Sequence, residues 1–203
     1  MALIRVETLS KDVLLGLWKI DEVQAIDFLT MKPQLIPIYE ALISKYKSLG
    51  RQLEQLAIYS LLDEMKESAA LSIINHHENG KPFYEGYYIS ISHTRGYAAL
   101  ILSKEQEVSI DIEYVNNRVE RISGRFIRPD EQSASLDEKL INWSIKETVY
   151  KYYSTQQLGF FDIRLLPYEL KEEGIIIVKN MKSGEQLAVC YRMTPDYVLT
   201  YYI

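Results

Sequence analysis

An α+β fold with antiparallel sheets is what this sequence predicts, on three observations. Strand-like stretches are joined by short turns, as where Tyr87 to Ser92 and Tyr97 to Ser103 flank His93-Thr94-Arg95-Gly96. A stripe of Leu53, Leu56, Ala57, Leu61 and Met65 repeats at helical spacing and marks a long helix. Each half of the chain mixes strands with helices, and no linker, charge run or low-complexity tract divides them.

In chain order, Ala2 to Thr8 and Val13 to Ile20 read as strands about a turn at Leu9-Ser10-Lys11-Asp12. Asp21 is the expected cap of a helix over Glu22 to Leu29. Helices follow over Leu35 to Leu49 and Arg51 to Ile74, separated by Gly50, and Asn79-Gly80 closes the helical stretch. After the hairpin comes a strand over Glu107 to Tyr114, then a helix from Val119 to Phe126. Pro129-Asp130-Glu131 is expected to open a short helix and Leu136 to Gln157 to form a long one. Gly174 to Lys179, Gln186 to Arg192 and Tyr197 to Tyr202 read as three closing strands.

At 203 residues the chain is one large domain or two small ones, with enough apolar content for a core. A net charge of −5 argues against non-specific nucleic-acid binding, which needs a basic footprint. The single cysteine, Cys190, permits no internal disulfide and fits a reducing compartment. Arg5, Glu7, Lys11 and Asp12 interrupt the N-terminal apolar residues, so no signal peptide is expected. No apolar run approaches the roughly 20 residues that span a bilayer, and a soluble cytoplasmic protein is expected.

Two stretches carry the chemistry. In Val108-Ser109-Ile110-Asp111-Ile112-Glu113, period-two alternation sets both carboxylates on one strand face and both isoleucines on the other. In Trp143-Ser144-Ile145-Lys146-Glu147-Thr148-Val149-Tyr150-Lys151, helical spacing lines up Trp143, Lys146, Glu147, Tyr150 and Lys151. Three carboxylates from a strand and a helix can converge on one hard cation; magnesium takes oxygen ligands and shares them with substrate phosphates. Lys151, a turn beyond Glu147, could then reach an anion held by that ion. Spacing alone leaves open a half-buried strand with a solvated acidic edge beside an ordinary surface helix. Ser92-His93 could equally cap a turn, Lys81 sit in a loop, Trp143 fill a core and Lys146 pair with a neighbouring acid. The adjacent His76-His77 lack metal-ligand spacing and read as a helix end near Gly80.

Several motifs fall in order: Gly80-Lys81-Pro82, Ile89-Ser90-Ile91-Ser92-His93-Thr94, Ile110-Asp111-Ile112-Glu113, Arg125-Phe126 ahead of Pro129-Asp130-Glu131, and Trp143-Ser144-Ile145-Lys146-Glu147 with Lys151. Over about residues 80 to 151 this set resembles the 4′-phosphopantetheinyl transferase superfamily, in its longer, two-half type. The resemblance implies transfer of the phosphopantetheine arm of coenzyme A to a serine of an acyl or peptidyl carrier protein. It implies Asp111, Glu113 and Glu147 as magnesium ligands, Glu147 also as general base, and Lys151 as the phosphate-binding catalytic lysine. Lys81, Ser92 and His93 match positions that hold the nucleotide, with Arg51 and Lys146 counted beside them. The implied fold is two similar halves, residues 1–100 and 101–203, about a pseudo-twofold axis. They would form one continuous, monomeric globular unit with coenzyme A in the cleft.

The chain departs from the family pattern at three places. Ser109 stands where relatives often have glycine, adding a side chain to the carboxylate face. Tyr59 lies near the place of a family arginine, and Tyr152-Tyr153 follow the catalytic lysine where glycine is common. Two other functions compete: a catalytically weak relative that binds coenzyme A or a carrier domain without turnover, and a magnesium-dependent nuclease. The acidic net charge counts against the nuclease.

Overall fold

The computed structural model of the protein describes residues 3–66 and 73–203. The chain forms two compact units, the first ending at Gln106 and the second running from Glu107 to Ile203. Helices and antiparallel sheets mix in each, giving the α+β fold expected.

In the first unit, β1 (Leu3–Ser10) and β2 (Val13–Lys19) form a hairpin; Ala2, expected to begin the first strand, lies outside the described residues. Three helices follow: α1 (Ala25–Met31), α2 (Ile36–Lys45) and α3 (Leu49–Met65). The short strands β3 (Asn75–His76) and β4 (Pro82–Phe83) pair with each other, and β5 (Tyr88–Thr94) pairs with β6 (Tyr97–Ser103). The main sheet has the order β1-β2-β6-β5. α3 packs on β2 and β6, burying Leu53, Leu56, Ala57, Leu61 and Met65, the stripe read from the sequence. Gly16 of β2 permits this approach, because a Cβ there would stand 2.6 Å from Met65 Sδ and 3.0 Å from Leu61 Cδ2.

Several boundaries differ from those expected. Asp21 does not cap α1: Asp27 Oδ2 reaches back to accept from the backbone N–H of Val23 at 3.0 Å and Gln24 at 2.9 Å, which starts the helix at Ala25. Gly50 does not separate α2 from α3 but lies in the first turn of α3; the break falls at Tyr46 to Ser48. α3 stops at Met65, where Lys66 is extended; of the longer helix expected here, residues 67–72 lie outside the described residues, and Ile73 and Ile74 are not helical. His76 is a strand residue of the β3–β4 hairpin rather than a helix end, with Gly80 at φ +82° in its turn. The β5–β6 turn is only Arg95-Gly96, with Gly96 at φ +78°, so His93 and Thr94 belong to β5.

The second unit begins with β7 (Ser109–Tyr114), followed by α4 (Arg118–Ile122) and a 3₁₀ turn at Ser123–Arg125. Next come α5 (Leu136–Tyr152), β8 (Ile163–Leu165), β9 (Glu173–Asn180), β10 (Gln186–Met193) and β11 (Tyr197–Tyr202). The antiparallel sheet has the order β7-β11-β10-β9-β8, with α5 across β7 and β11. Its core contains Phe126, Leu140, Ile141, Ile145, Val149, Val178, Val189 and Val198. A capping box starts α5: Ser135 Oγ accepts from Glu138 N at 3.1 Å, and Glu138 Oε2 accepts from Ser135 N at 3.0 Å. Pro129-Asp130-Glu131 forms a turn, not a helix. The Glu131 side chain points inward and accepts from the backbone N–H of Arg128 and Leu165, at 2.7 and 2.8 Å. Among the described residues, no helix is long and apolar enough to cross a membrane.

Candidate active site

The two chemistry-bearing stretches meet where α5 crosses β7. Alternation along β7 turns Asp111 and Glu113 toward α5 and buries Ile110 and Ile112 on the opposite face. Three donors on α5 reach down to that acidic face. Trp143 Nε1 donates to Glu113 Oε1 at 2.7 Å, and Ser144 Oγ to Asp111 Oδ2 at 2.9 Å. Lys151 Nζ donates to Asp111 Oδ1 at 2.8 Å and to the carbonyl of Ile110 at 2.9 Å. Glu147, one turn before Lys151, lies within electrostatic reach of Asp111, Glu113 and Lys151. Asp111, Glu113, Glu147 and Lys151 therefore come together in one cluster.

The cluster holds three carboxylates against one ammonium. Burial pushes Glu113 up to about 7, helped by the charges of Asp111 and Glu147 and opposed by the Trp143 hydrogen bond and Lys151. Glu147 also rises to about 7, by burial and the Asp111 charge, against Lys151. All the acidic donor atoms are oxygens, the set a hard divalent cation takes, and a divalent charge would relieve the repulsion. Among the described residues, however, no three His, Cys, Asp or Glu side chains stand as a ready metal-binding group. Ser144, Lys151 and Trp143 engage oxygens of Asp111 and Glu113, so the ligand set fits magnesium in kind while an ion would have to compete with Lys151 for Asp111 Oδ1.

Residues 107–202, almost the whole of this unit, match the family model described as the 4′-phosphopantetheinyl transferase superfamily. The second unit is similar to this superfamily. No curated protein matches the chain significantly.

Not every residue that the superfamily resemblance implicates faces the carboxylates. Lys146 is adjacent to Glu147 in sequence, hence about 100° away around α5 by helical geometry. It is 0% exposed, and its ammonium donates to Glu131 Oε2 and Phe126 O, both at 2.7 Å, and to Phe160 O at 3.3 Å. Burial lowers its pKa, in spite of the raising effect of Glu131. Expected beside coenzyme A, it instead ties α5 to the turn at Glu131. Trp143 fills the core, as one reading of the sequence had it, and has a second role that the sequence did not suggest. It packs against Phe126 and Phe160, with ring centroids 5.0 and 5.2 Å away, and it holds Glu113.

The residues matched to nucleotide-binding positions of the superfamily lie in the first unit. Arg51, in the first turn of α3, meets His93 of β5, and Glu54 Oε2 lies 2.9 Å from Arg51 Nη1 and 3.2 Å from His93 Nδ1. Ser92 is buried beside them in β5, and Lys81 is half-buried just before β4. Tyr59 does not act as a charge: it packs on the core, its pKa raised by burial, and its hydroxyl accepts from Ile74 N at 3.4 Å. Tyr152 and Tyr153 close the end of α5. Tyr152 packs edge-on to Tyr202 at 4.7 Å, and Tyr153 donates to Glu185 Oε2 at 2.6 Å. Ser109 Oγ is buried without a hydrogen-bond partner.

Three residues of the site went unrecognised in the sequence. Ser144, Thr148 and Thr200 are 0% exposed and link to one another beneath Asp111. The available signal was the pair of hydroxyls at i and i+4 on an α5 face that must be buried against a sheet.

Proposed function

We propose that the protein transfers the 4′-phosphopantetheine arm of coenzyme A to a serine of an acyl or peptidyl carrier protein, with magnesium as the required ion. The observation that carries this is the Glu147 carboxyl, raised to about 7 and set one helical turn from Lys151. A general base works best with a pKa near the working pH, and Glu147 has that property. Its carboxylate would take the serine proton as the serine oxygen attacks the pyrophosphate phosphorus bonded to the pantetheine arm. The phosphoanhydride bond then breaks, releasing adenosine 3′,5′-bisphosphate. Lys151 would place its ammonium against the phosphoryl oxygens, where charge grows in the transition state.

Asp111, Glu113 and Glu147 would hold magnesium, which when bound supplies neutralising charge for the pyrophosphate and the leaving group. Arg51 and His93, with Lys81 and Ser92, are the proposed holders of the nucleotide. Lys146 is not proposed among them, because its ammonium is enclosed at Glu131. The protein is proposed to act in the cytoplasm as a monomer.

The second reading is a relative that binds coenzyme A or a carrier domain without turnover. It is favoured by the buried, unpartnered hydroxyl of Ser109 on the carboxylate face of β7. Incubating the protein with coenzyme A, magnesium chloride and a panel of apo carrier proteins separates the two. A carrier that gains one phosphopantetheine by mass spectrometry supports the transferase. Calorimetric binding of coenzyme A without modification of any carrier supports the second reading, and absence of both refutes each.

A further inference from the structure

Beneath the acidic cluster runs a line of hydroxyls enclosed between α5 and β11. Thr148 Oγ1 lies 2.6 Å from Thr200 Oγ1, which lies 2.9 Å from Ser144 Oγ, which donates to Asp111 Oδ2 at 2.9 Å. Thr200 Oγ1 also donates to the carbonyl of Ser144 at 3.0 Å. A hydroxyl has one proton, and an ionised carboxylate only accepts, so the Ser144 proton is committed to Asp111. The one Thr200 proton is shared between the hydroxyl and the carbonyl of Ser144. The Thr148 hydroxyl faces both the hydroxyl and the carbonyl of Thr200, the latter at 3.3 Å.

We propose that Ser144, oriented by Thr200 and Thr148, is the positioning residue of Asp111. It anchors Oδ2 so that Oδ1, the oxygen now taken by Lys151, is the one presented to a cation. Ser144 touches no reacting atom and acts through Asp111, so the inference rests on the reading of Asp111 as a cation ligand. A helix packed on a sheet has no structural need for three buried hydroxyls at one point. Apolar residues would fill the same space without polar groups to satisfy. Partners that orient a ligand from behind typically change metal affinity by about 10–100-fold when removed.

The test uses Ser144→Ala and Ser144→Thr in the full chain, with Thr200→Val as a second way to break the line should Ser144→Ala fail to fold. Magnesium chloride is titrated into each variant by calorimetry. The expected result is about 10–100-fold weaker binding for Ser144→Ala or Thr200→Val, with Ser144→Thr close to wild type. Urea midpoints without metal form the second readout. The drop caused by Ser144→Ala should shrink when Asp111 is already Ala. Magnesium binding unchanged in folded Ser144→Ala, or an equal urea drop in both backgrounds, would overturn the proposal. A wild-type protein that binds no magnesium would refute Asp111 as a cation ligand, while the urea comparison would still decide whether Ser144 acts through it.

Discussion

α3 and α5 are both 17 residues long and each lies across an antiparallel sheet, yet they bury different chemistry. The buried residues of α3 are apolar apart from Ser60. α5 encloses Asn142, Ser144, Lys146 and Thr148 among its leucines, isoleucines and valine. Buried polar groups cost free energy unless paired: Lys146 pairs with Glu131, Ser144 with Asp111, Thr148 with Thr200, and the Asn142 amide nitrogen with a backbone carbonyl. The charges differ as well. In the first unit Lys32 and Lys66 balance Asp63 and Glu64, whereas in the second three carboxylates share Lys151. A helix that only holds a sheet needs neither the buried polar row nor the unbalanced charge. Where Ser144 and Thr148 lie beside that surplus of charge, they mark the working face.

That contrast can be tested by substitution, beginning with the largest effect. Glu131→Ala strands the Lys146 ammonium inside the second unit, and breaking such a buried pair costs about 3–5 kcal/mol. A clear fall in the urea midpoint is expected, and a fall below about 1 kcal/mol would mean that the pair is not structural. Lys151→Ala should slow transfer by about 10²–10³-fold, the usual effect of removing one transition-state donor. The loss should fall on kcat more than on KM for coenzyme A, as steady-state kinetics on an apo carrier would show. Gly16→Ala drives a methyl against Met65 Sδ and should destabilise the first unit by about 1–3 kcal/mol through overpacking. Thermal denaturation is the check, with transfer chemistry expected to survive where the variant remains folded.

The smallest effect is a pH dependence of opposite sign in the two units. Glu113 and Glu147 have folded values near 7, above their ordinary 4.5. Their favourable contribution is therefore complete below about 4.5 and is lost as pH rises through about 7. Burial pushes Asp63 up, but hydrogen bonds from Lys32, Lys66 and Gln34 outweigh that and leave it below its ordinary 3.8. Its contribution is present above 3.8 and lost only as pH falls through the lowered value. Hydrogen exchange, corrected for intrinsic rates, should show α5 losing protection between pH 5 and 8 and α3 holding it. Magnesium should flatten the α5 response.

The strands and the site were legible for different reasons. Period-two alternation in β7 put Asp111 and Glu113 on one face, and β7, β9, β10 and β11 were each read within a few residues of where they lie. Helix ends were not legible where side chains several residues away decide them. Asp27 rather than Asp21 starts α1, and Gly50 is carried inside α3. Glu131 could not be seen as the partner of Lys146, because a turn 15 residues away brings it there. Ser144, Thr148 and Thr200 were missed for the same reason: hydroxyls reveal a shared line only once β11 is laid beside α5.

Glu147→Gln keeps the shape of the side chain while removing its charge and its basicity, and so tests the proposed base most directly. The measurement is the phosphopantetheine mass gain of an apo carrier over time, with coenzyme A and magnesium present and circular dichroism confirming the fold. Wild type is predicted to modify the carrier and Glu147→Gln to do so at least about 10²–10⁴-fold more slowly, the span of general-base catalysis, with loss of a metal ligand adding to it. Equal rates for the two proteins would contradict the assignment of the α5 carboxylate as the base.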